Sequence, residues 1–168
     1  KDCLDLPEKM YVQRYVDMPE EQRQAYDRLK ITAIMVMKDE EVSYNNKLTE
    51  LLKLQQVTNG FVKTNEGNIV DFKTNAKLKE LMNIIEETED KCIIWANYVH
   101  NIEGIKSKLA ETYGVDSVVS IYGKDSVEDR NQAVEKFQND DKCRFLVGNP
   151  TVGGYGLTLT AAKYVIYF

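Results

Sequence analysis

The chain has 168 residues, 43% hydrophobic and 29% charged, with 9 Gly and 3 Pro, which accommodates one soluble globular domain with a full core. Its 22 Lys and Arg against 27 Asp and Glu leave a net charge of −5, which excludes a protein that binds polyanions over its whole surface. Residues 1–90 hold 13 basic and 18 acidic groups and residues 91–168 hold nine of each, so any polyanion site is local and is expected in the second half.

In chain order, Met10 to Val16 reads as a strand, and Pro19 as the first position of a helix, with Glu20 and Glu21 at its positive end. Ala25, Tyr26, Leu29, Ala33, Val36 and Met37 carry that helix onward. A second helix is predicted over Ser43 to Thr58, with Tyr44, Leu48, Leu51 and Leu52 on one face. Phe61 to Lys63 and Ile69 to Phe72, joined through Asn65 to Asn68, form a hairpin pattern with a Gly-assisted turn. Asn75 is placed to cap a helix bearing Leu78, Leu81, Met82 and Ile85.

From Lys91 the rhythm changes. Lys91 to Ala96 is a short apolar run that reads as a buried strand. Val99, Ile102, Ile105, Leu109 and Tyr113 follow at helical spacing, and Gly114 stops that helix. Ser117 to Tyr122 is a second strand. Ser126 to Asp129 is a capping-box pattern opening a helix with Val127, Ala133, Val134 and Phe137 on one face. Cys143 to Val147 and Tyr164 to Phe168 are two more strands. Strands alternating with helices at these lengths predict a parallel sheet covered on both faces. The strand pattern ending at Phe168, with no turn or closing helix after it, suggests a fragment of a longer protein.

No apolar run approaches the roughly 18 residues that span a bilayer, and no signal-peptide pattern opens the chain. Cys3, Cys92 and Cys143 are widely separated and odd in number, which speaks against a disulfide framework or a zinc pair and for a reducing, cytoplasmic compartment. Cys92, Cys143 and Trp95 are expected in the core, and His100 as a polar or capping residue at a helix start.

The stretch richest in chemistry is Asn149 to Thr160, with Gly153, Gly154 and Gly156 and flanking Thr hydroxyls after a predicted strand. Such loops let backbone N–H groups approach a phosphate or ribose, and open α/β sheets bind ligands beyond their strands' carboxyl ends. It is not a dinucleotide fingerprint, because Leu159 stands where the third glycine belongs. It is not a P-loop either: the Gly123-Lys124 pair is followed by Asp125 and lacks the upstream glycine. Asn97, after the first strand of this half, and the turn at Tyr122 to Asp125, after the second, are predicted at the same edge. A row of amides and short polar side chains there suits a phosphodiester backbone, which demands donors but not base identity.

These residues resemble the second RecA-like lobe of superfamily 2 helicases, in particular the Swi/Snf-type ATPases. Gly153 to Ala162 is similar to their motif V, Val165 to Phe168 to the strand after it, and Lys91 to Tyr98 to motif IV. Tyr122-Gly123 through Arg130, Ala133 and Phe137 follows the family's spacing. Leu51 to Asn59 resembles its L-R-Q-I-C-N helix, and Leu6-Pro7 with Tyr26 its lead-in. The resemblance spans nearly the whole chain and looks most like bacterial or phage members.

The fold implied is a three-layer RecA-like α/β domain. Residues 75–168 would be its core, truncated before motif VI, and residues 1–74 an N-terminal helical and hairpin portion. The function implied is the C-terminal lobe of a DNA-dependent ATPase or translocase. ATP and Mg²⁺ would bind in the cleft with a first lobe of the same protein, which supplies the P-loop and the acidic motif. This chain alone would bind neither tightly and would turn over no ATP. Gly154, Gly156 and Thr158 would face nucleotide, with Thr158 standing where family members usually carry Asn. Asn97, Gly123, Lys124, Asn149 and Thr151 would contact DNA phosphates. No catalytic or metal-binding residue and no membrane contact is expected. The alternative is a helicase-like docking module without a motor; a small-molecule transferase fits less well, because the loops hold no catalytic base cluster.

Overall fold

The computed structural model describes residues 8–39, 43–153 and 157–168. Helices α1 (Glu20–Lys38) and α2 (Tyr44–Thr58) lead into a hairpin of β1 (Phe61–Lys63) and β2 (Ile69–Asp71). Then come α3 (Ala76–Glu86), β3 (Cys92–Trp95), α4 (Val99–Tyr113), β4 (Val118–Ile121), α5 (Val127–Asn139), β5 (Phe145–Gly148), the short α6 (Pro150–Gly153) and β6 (Tyr164–Tyr167). The four later strands form one sheet in the order β4-β5-β3-β6, every pair parallel. Among the described residues no helix is long and apolar enough to cross a membrane.

Side chains alternate across the sheet, so each strand feeds two cores. On one face Cys92, Ile94, Phe145 and Val147 pack with Leu81 and Ile85 of α3 and Ile102, Ile105 and Leu109 of α4. On the other, Ile93, Trp95, Ile121 and Leu146 pack with Phe137 of α5. This gives the predicted three layers. Phe137 is fully buried, a placement that stabilises the α5 layer by about 2 kcal/mol. Cys92 and Cys143 are buried free thiols and Trp95 lies in the core. Burial pushes the Cys92 thiol up to about 11, against a smaller opposing effect of Arg144.

Local signals explain the element ends. Asn75 Oδ1 accepts from Leu78 N at 3.0 Å and opens α3. Ser126 and Asp129 form a reciprocal capping box at α5. Gly114, at φ +95°, ends α4 where an L side chain would be strained. Gly67 takes φ +90° in the hairpin turn. Two basic side chains from outside α3 and α5 satisfy carbonyls at the ends of these helices. Arg144 donates to the Thr88 carbonyl at 2.6 Å, just past α3, and Lys91 Nζ donates to the Phe137 and Asp140 carbonyls at the end of α5.

The first half departs from the sequence reading in three places. Met10 to Val16 forms no strand: no partner ladder meets it among the described residues, and Met10, Tyr11, Val12 and Tyr15 are exposed. The segment is tied instead by Arg14 to Glu80 and Glu87. Pro19 is the N-cap of α1 and not its first residue. On α2 the face bearing Tyr44, Leu48, Leu51 and Leu52 is turned to solvent, while Val57 is buried. α1 packs along α2, with Gln22 donating to the Val57 carbonyl. In the second half, Val127 is 68% exposed and takes no part in the buried face of α5.

Candidate nucleic-acid and nucleotide interface

Because β3, β4 and β5 are parallel and adjacent, their carboxyl ends meet at one edge of the sheet. Asn149, directly after β5, knits that edge together. Its backbone N–H donates to the Ile121 carbonyl at 3.1 Å, at the end of β4. Its Nδ2 donates to the Asn97 carbonyl at 2.9 Å, past the end of β3. Its Oδ1 accepts from Thr151 N at 2.8 Å, within α6. One side chain and its own amide therefore fix three loops relative to each other.

The remaining rim residues take their positions from these ties. Gly123 and Lys124 are exposed at the tip of the turn after β4. That turn is closed by Asp125 N donating to the Tyr122 carbonyl at 3.0 Å and by Tyr122 N donating to Asp125 Oδ2 at 2.7 Å. A Cβ on Gly123 would meet no atom within 4 Å, so this glycine leaves open space on the outer side of the rim. Burial, with lesser effects of Glu103 and Asp125, raises the Tyr122 phenol above its ordinary range. Asn97 and Thr151 are exposed. The edge thus presents amides, a hydroxyl and the Lys124 ammonium: many donors and little charge.

Thr158 lies on the stretch leading to β6 and is exposed, while Leu157 and Leu159 beside it pack against the α5 side of the sheet. Among the described residues it has no hydrogen bond to Asn97, Asn149 or Thr151. Gly154 and Gly156 lie outside the described residues.

Three contributors escape a sequence reading that ends the β5 strand at Val147. Gly148 completes β5 at the rim; a Cβ there would stand 2.6 Å from Ile121 Cγ1 and 2.9 Å from the Ile121 carbonyl oxygen, so only glycine lets β4 and β5 approach this closely. Its position between an apolar run and Asn-Pro was the available signal. Gln138 of α5 holds the turn leading to β6, donating to Thr160 Oγ1 at 3.2 Å and accepting from Ala161 N at 2.9 Å. Tyr98 braces the Asn97 loop through its hydroxyl on Gln55 Oε1 at 2.9 Å and its ring edge-on to Phe61. His100, beside it, hydrogen-bonds Asp71 at 2.6 Å.

The donor set does not by itself suit Mg²⁺-bound ATP. Among the described residues no group of three or more His, Cys, Asp or Glu is disposed to hold a metal ion. The Gly123-Lys124 pair sits in a turn closed by Asp125 and does not form the P-loop that cradles a triphosphate.

Residues 76–168 match the helicase conserved C-terminal domain family. Over its whole length the chain is 30% identical to an uncharacterized ATP-dependent helicase of Mycoplasma genitalium, and over 99% of it 27% identical to a putative ATP-dependent helicase/translocase of Bacillus subtilis. It spans only 16% and 18% of those relatives. Among solved structures it superimposes on the C-terminal domain of the Sulfolobus solfataricus SWI2/SNF2 ATPase with a TM-score of 0.74 and 26% identity, covering 92% of this chain and 69% of that one. On the core of that ATPase in complex with double-stranded DNA the TM-score is 0.80 at 26% identity, covering 98% of this chain and 36% of that one. A parallel β4-β5-β3-β6 sheet, helices on both faces and a family match over more than half the residues lead to one conclusion: the chain belongs to the helicase conserved C-terminal domain family, as a RecA-like lobe of the Swi2/Snf2 kind.

Proposed function

We propose that this lobe is the DNA-gripping half of an ATP-dependent translocase, with residues 75–168 as its RecA-like core and residues 1–74 as the helical and hairpin portion. The observation that carries the reading is the Asn149 knot, which supports one continuous row of donors along three strand ends. Asn97, Gly123, Lys124, Asn149 and Thr151 bind the phosphates of one DNA strand. Neutral donors with a single ammonium suit binding that ignores base sequence and weakens with salt. The solved relative that holds double-stranded DNA supports the same partner.

Gly154, Gly156 and Thr158 face ATP in a cleft completed by a first RecA-like lobe of the same protein. That lobe supplies the P-loop and the acidic residues for Mg²⁺, which this chain's described donors do not provide. The protein works in the cytoplasm. Differential affinity of the open and closed clefts for ATP and its products shifts the two lobes along the strand.

The test is made on the longer protein that contains this lobe. Lys124→Ala and Thr151→Ala each lower DNA-stimulated ATP hydrolysis several-fold, while the 168-residue chain carrying them melts as before. Undiminished stimulation in both variants refutes the rim assignment. Robust hydrolysis by the isolated 168-residue chain refutes the division between lobes.

A further inference from the structure

Asn97, the rim residue that follows β3, is exposed, and its side chain makes no hydrogen bond among the described residues. The direction of that amide is therefore set by the backbone on either side of it. On the inner side the sheet holds it: Ala96 N donates to the Gly148 carbonyl at 2.9 Å, and the Asn97 carbonyl accepts from Asn149. On the outer side the restraint is Tyr98.

Tyr98 is the N-cap of α4, and its side chain makes no capping bond. Helices favour Ser, Thr, Asp or Asn at that position, because a short side-chain oxygen reaches the first free amides. A tyrosine gives up that cap, so the helix start alone does not account for it. Its ring instead meets Phe61 edge-on at 5.2 Å between centroids, and its hydroxyl donates to Gln55 Oε1 at 2.9 Å. Phe61 is itself buried, and the His100 ring on its other contact is held by Asp71 of the hairpin.

Gln55 is a fixed post for this brace. Its carbonyl accepts from Asn59 Nδ2 and from Thr58 Oγ1, both at 2.8 Å, in the last turn of α2. The Asn59 carbonyl in turn accepts from Asn101 Nδ2 of α4 at 3.0 Å. The end of α2 and the start of α4 are thus joined at two points, a buried one through Asn59 and Asn101 and an outer one through Gln55 and Tyr98. The outer bond lies where water can serve either group, so it adds little to overall stability. What it fixes is direction.

We propose that Tyr98 is a positioning residue for DNA binding. Braced on Gln55 and Phe61, it keeps the Asn97 amide turned toward the phosphates, so the helical and hairpin portion of the lobe sets the strength of the grip. This rests on the reading of the rim as the DNA site. A loop aligned only part of the time binds with an affinity reduced by that fraction. Losing one such hydrogen bond should weaken DNA binding roughly three- to tenfold.

The experiment measures ATP hydrolysis by the longer protein that contains this lobe, as a function of duplex DNA concentration. Tyr98→Phe, which keeps the ring and removes the hydroxyl, should raise the half-saturating DNA concentration roughly three- to tenfold and leave the rate at saturating DNA within about twofold. Gln55→Leu should do the same, and the two together should go no further than either alone. In an Asn97→Ala background Tyr98→Phe should add nothing, because its effect passes through Asn97. A merely structural role would instead lower the saturated rate and add to Asn97→Ala, and either result overturns the proposal. If Tyr98→Phe leaves the half-saturating concentration unchanged while Asn97→Ala and Lys124→Ala raise it, the proposal fails and the rim reading stands. If Asn97→Ala and Lys124→Ala change nothing, the rim reading fails and the proposal falls with it.

Discussion

The Asn149 side-chain amide donates to the Asn97 carbonyl at 2.9 Å, across the gap between the loops that follow β5 and β3. Its oxygen meanwhile holds Thr151 N. Asn149→Ala removes both bonds and leaves only the backbone tie to Ile121. A net loss of about 1–2 kcal/mol is expected for the pair, read as a lowered urea midpoint of the 168-residue chain. Asn149→Asp keeps the tie to Thr151 but sets a carboxylate oxygen against the Asn97 carbonyl, so it should cost at least as much as losing that bond.

Gly148 sets the spacing of β4 and β5. Gly148→Ala places a methyl 2.6 Å from Ile121 Cγ1 and 2.9 Å from the Ile121 carbonyl oxygen. The first clash is with a γ carbon that valine also carries and the second is with backbone, so trimming Ile121 to valine relieves neither. Urea denaturation of Gly148→Ala should show a loss of roughly 1–3 kcal/mol, typical of overpacking. The double variant with Ile121→Val, which keeps both γ carbons, should recover none of it.

Arg144 joins three elements. Its guanidinium donates to the Thr88 carbonyl at 2.6 Å and lies over the rings of Tyr113 and Phe145. Lysine keeps the charge but not the flat fork that donates and stacks at once. Arg144→Lys is therefore expected to destabilise the chain by about 1–2 kcal/mol and to speed amide exchange in the last turn of α3. An unchanged exchange pattern there would show that the α3 end is held by something else.

The Cys92 thiol, raised by burial from 9.0 to about 11, has a stability signature in pH. Below pH 9 it is protonated in both folded and unfolded chains. Between about 9 and 11 the unfolded thiol ionises while the folded one stays protonated, so the unfolded state is favoured and stability falls as the pH rises. Urea midpoints measured from pH 7 to 10.5 should fall less steeply for Cys92→Ala than for the unaltered chain. Equal slopes would show that Cys92 is not the source.

Much of the core-forming half was readable because its signals are local. The capping box at Ser126, the Gly114 stop and the apolar β3 run each fix an element by near-neighbour chemistry. Two families of feature were not readable. Which face of an apolar stripe is buried depends on neighbours far away in sequence: Tyr44, Leu48, Leu51 and Leu52 keep helical spacing yet face solvent. Met10 to Val16 has β character, but a strand needs a partner ladder, and propensity alone does not provide one. At the rim, the sequence located Asn97, Asn149 and Thr151 at strand ends. That Asn149 is the clasp between them emerges only from the parallel register, which sets β3 beside β5.

The strand order has one last consequence. β6 is the outermost strand on its side, with Tyr164, Val165 and Tyr167 exposed. Its outer row of peptide groups is a template for cross-molecular ladder growth, which natural sheets commonly blunt with charge or proline. Handled alone at high concentration, the lobe is therefore prone to sticking edge to edge, and a lysine in place of Val165 is the simplest way to keep it monodisperse.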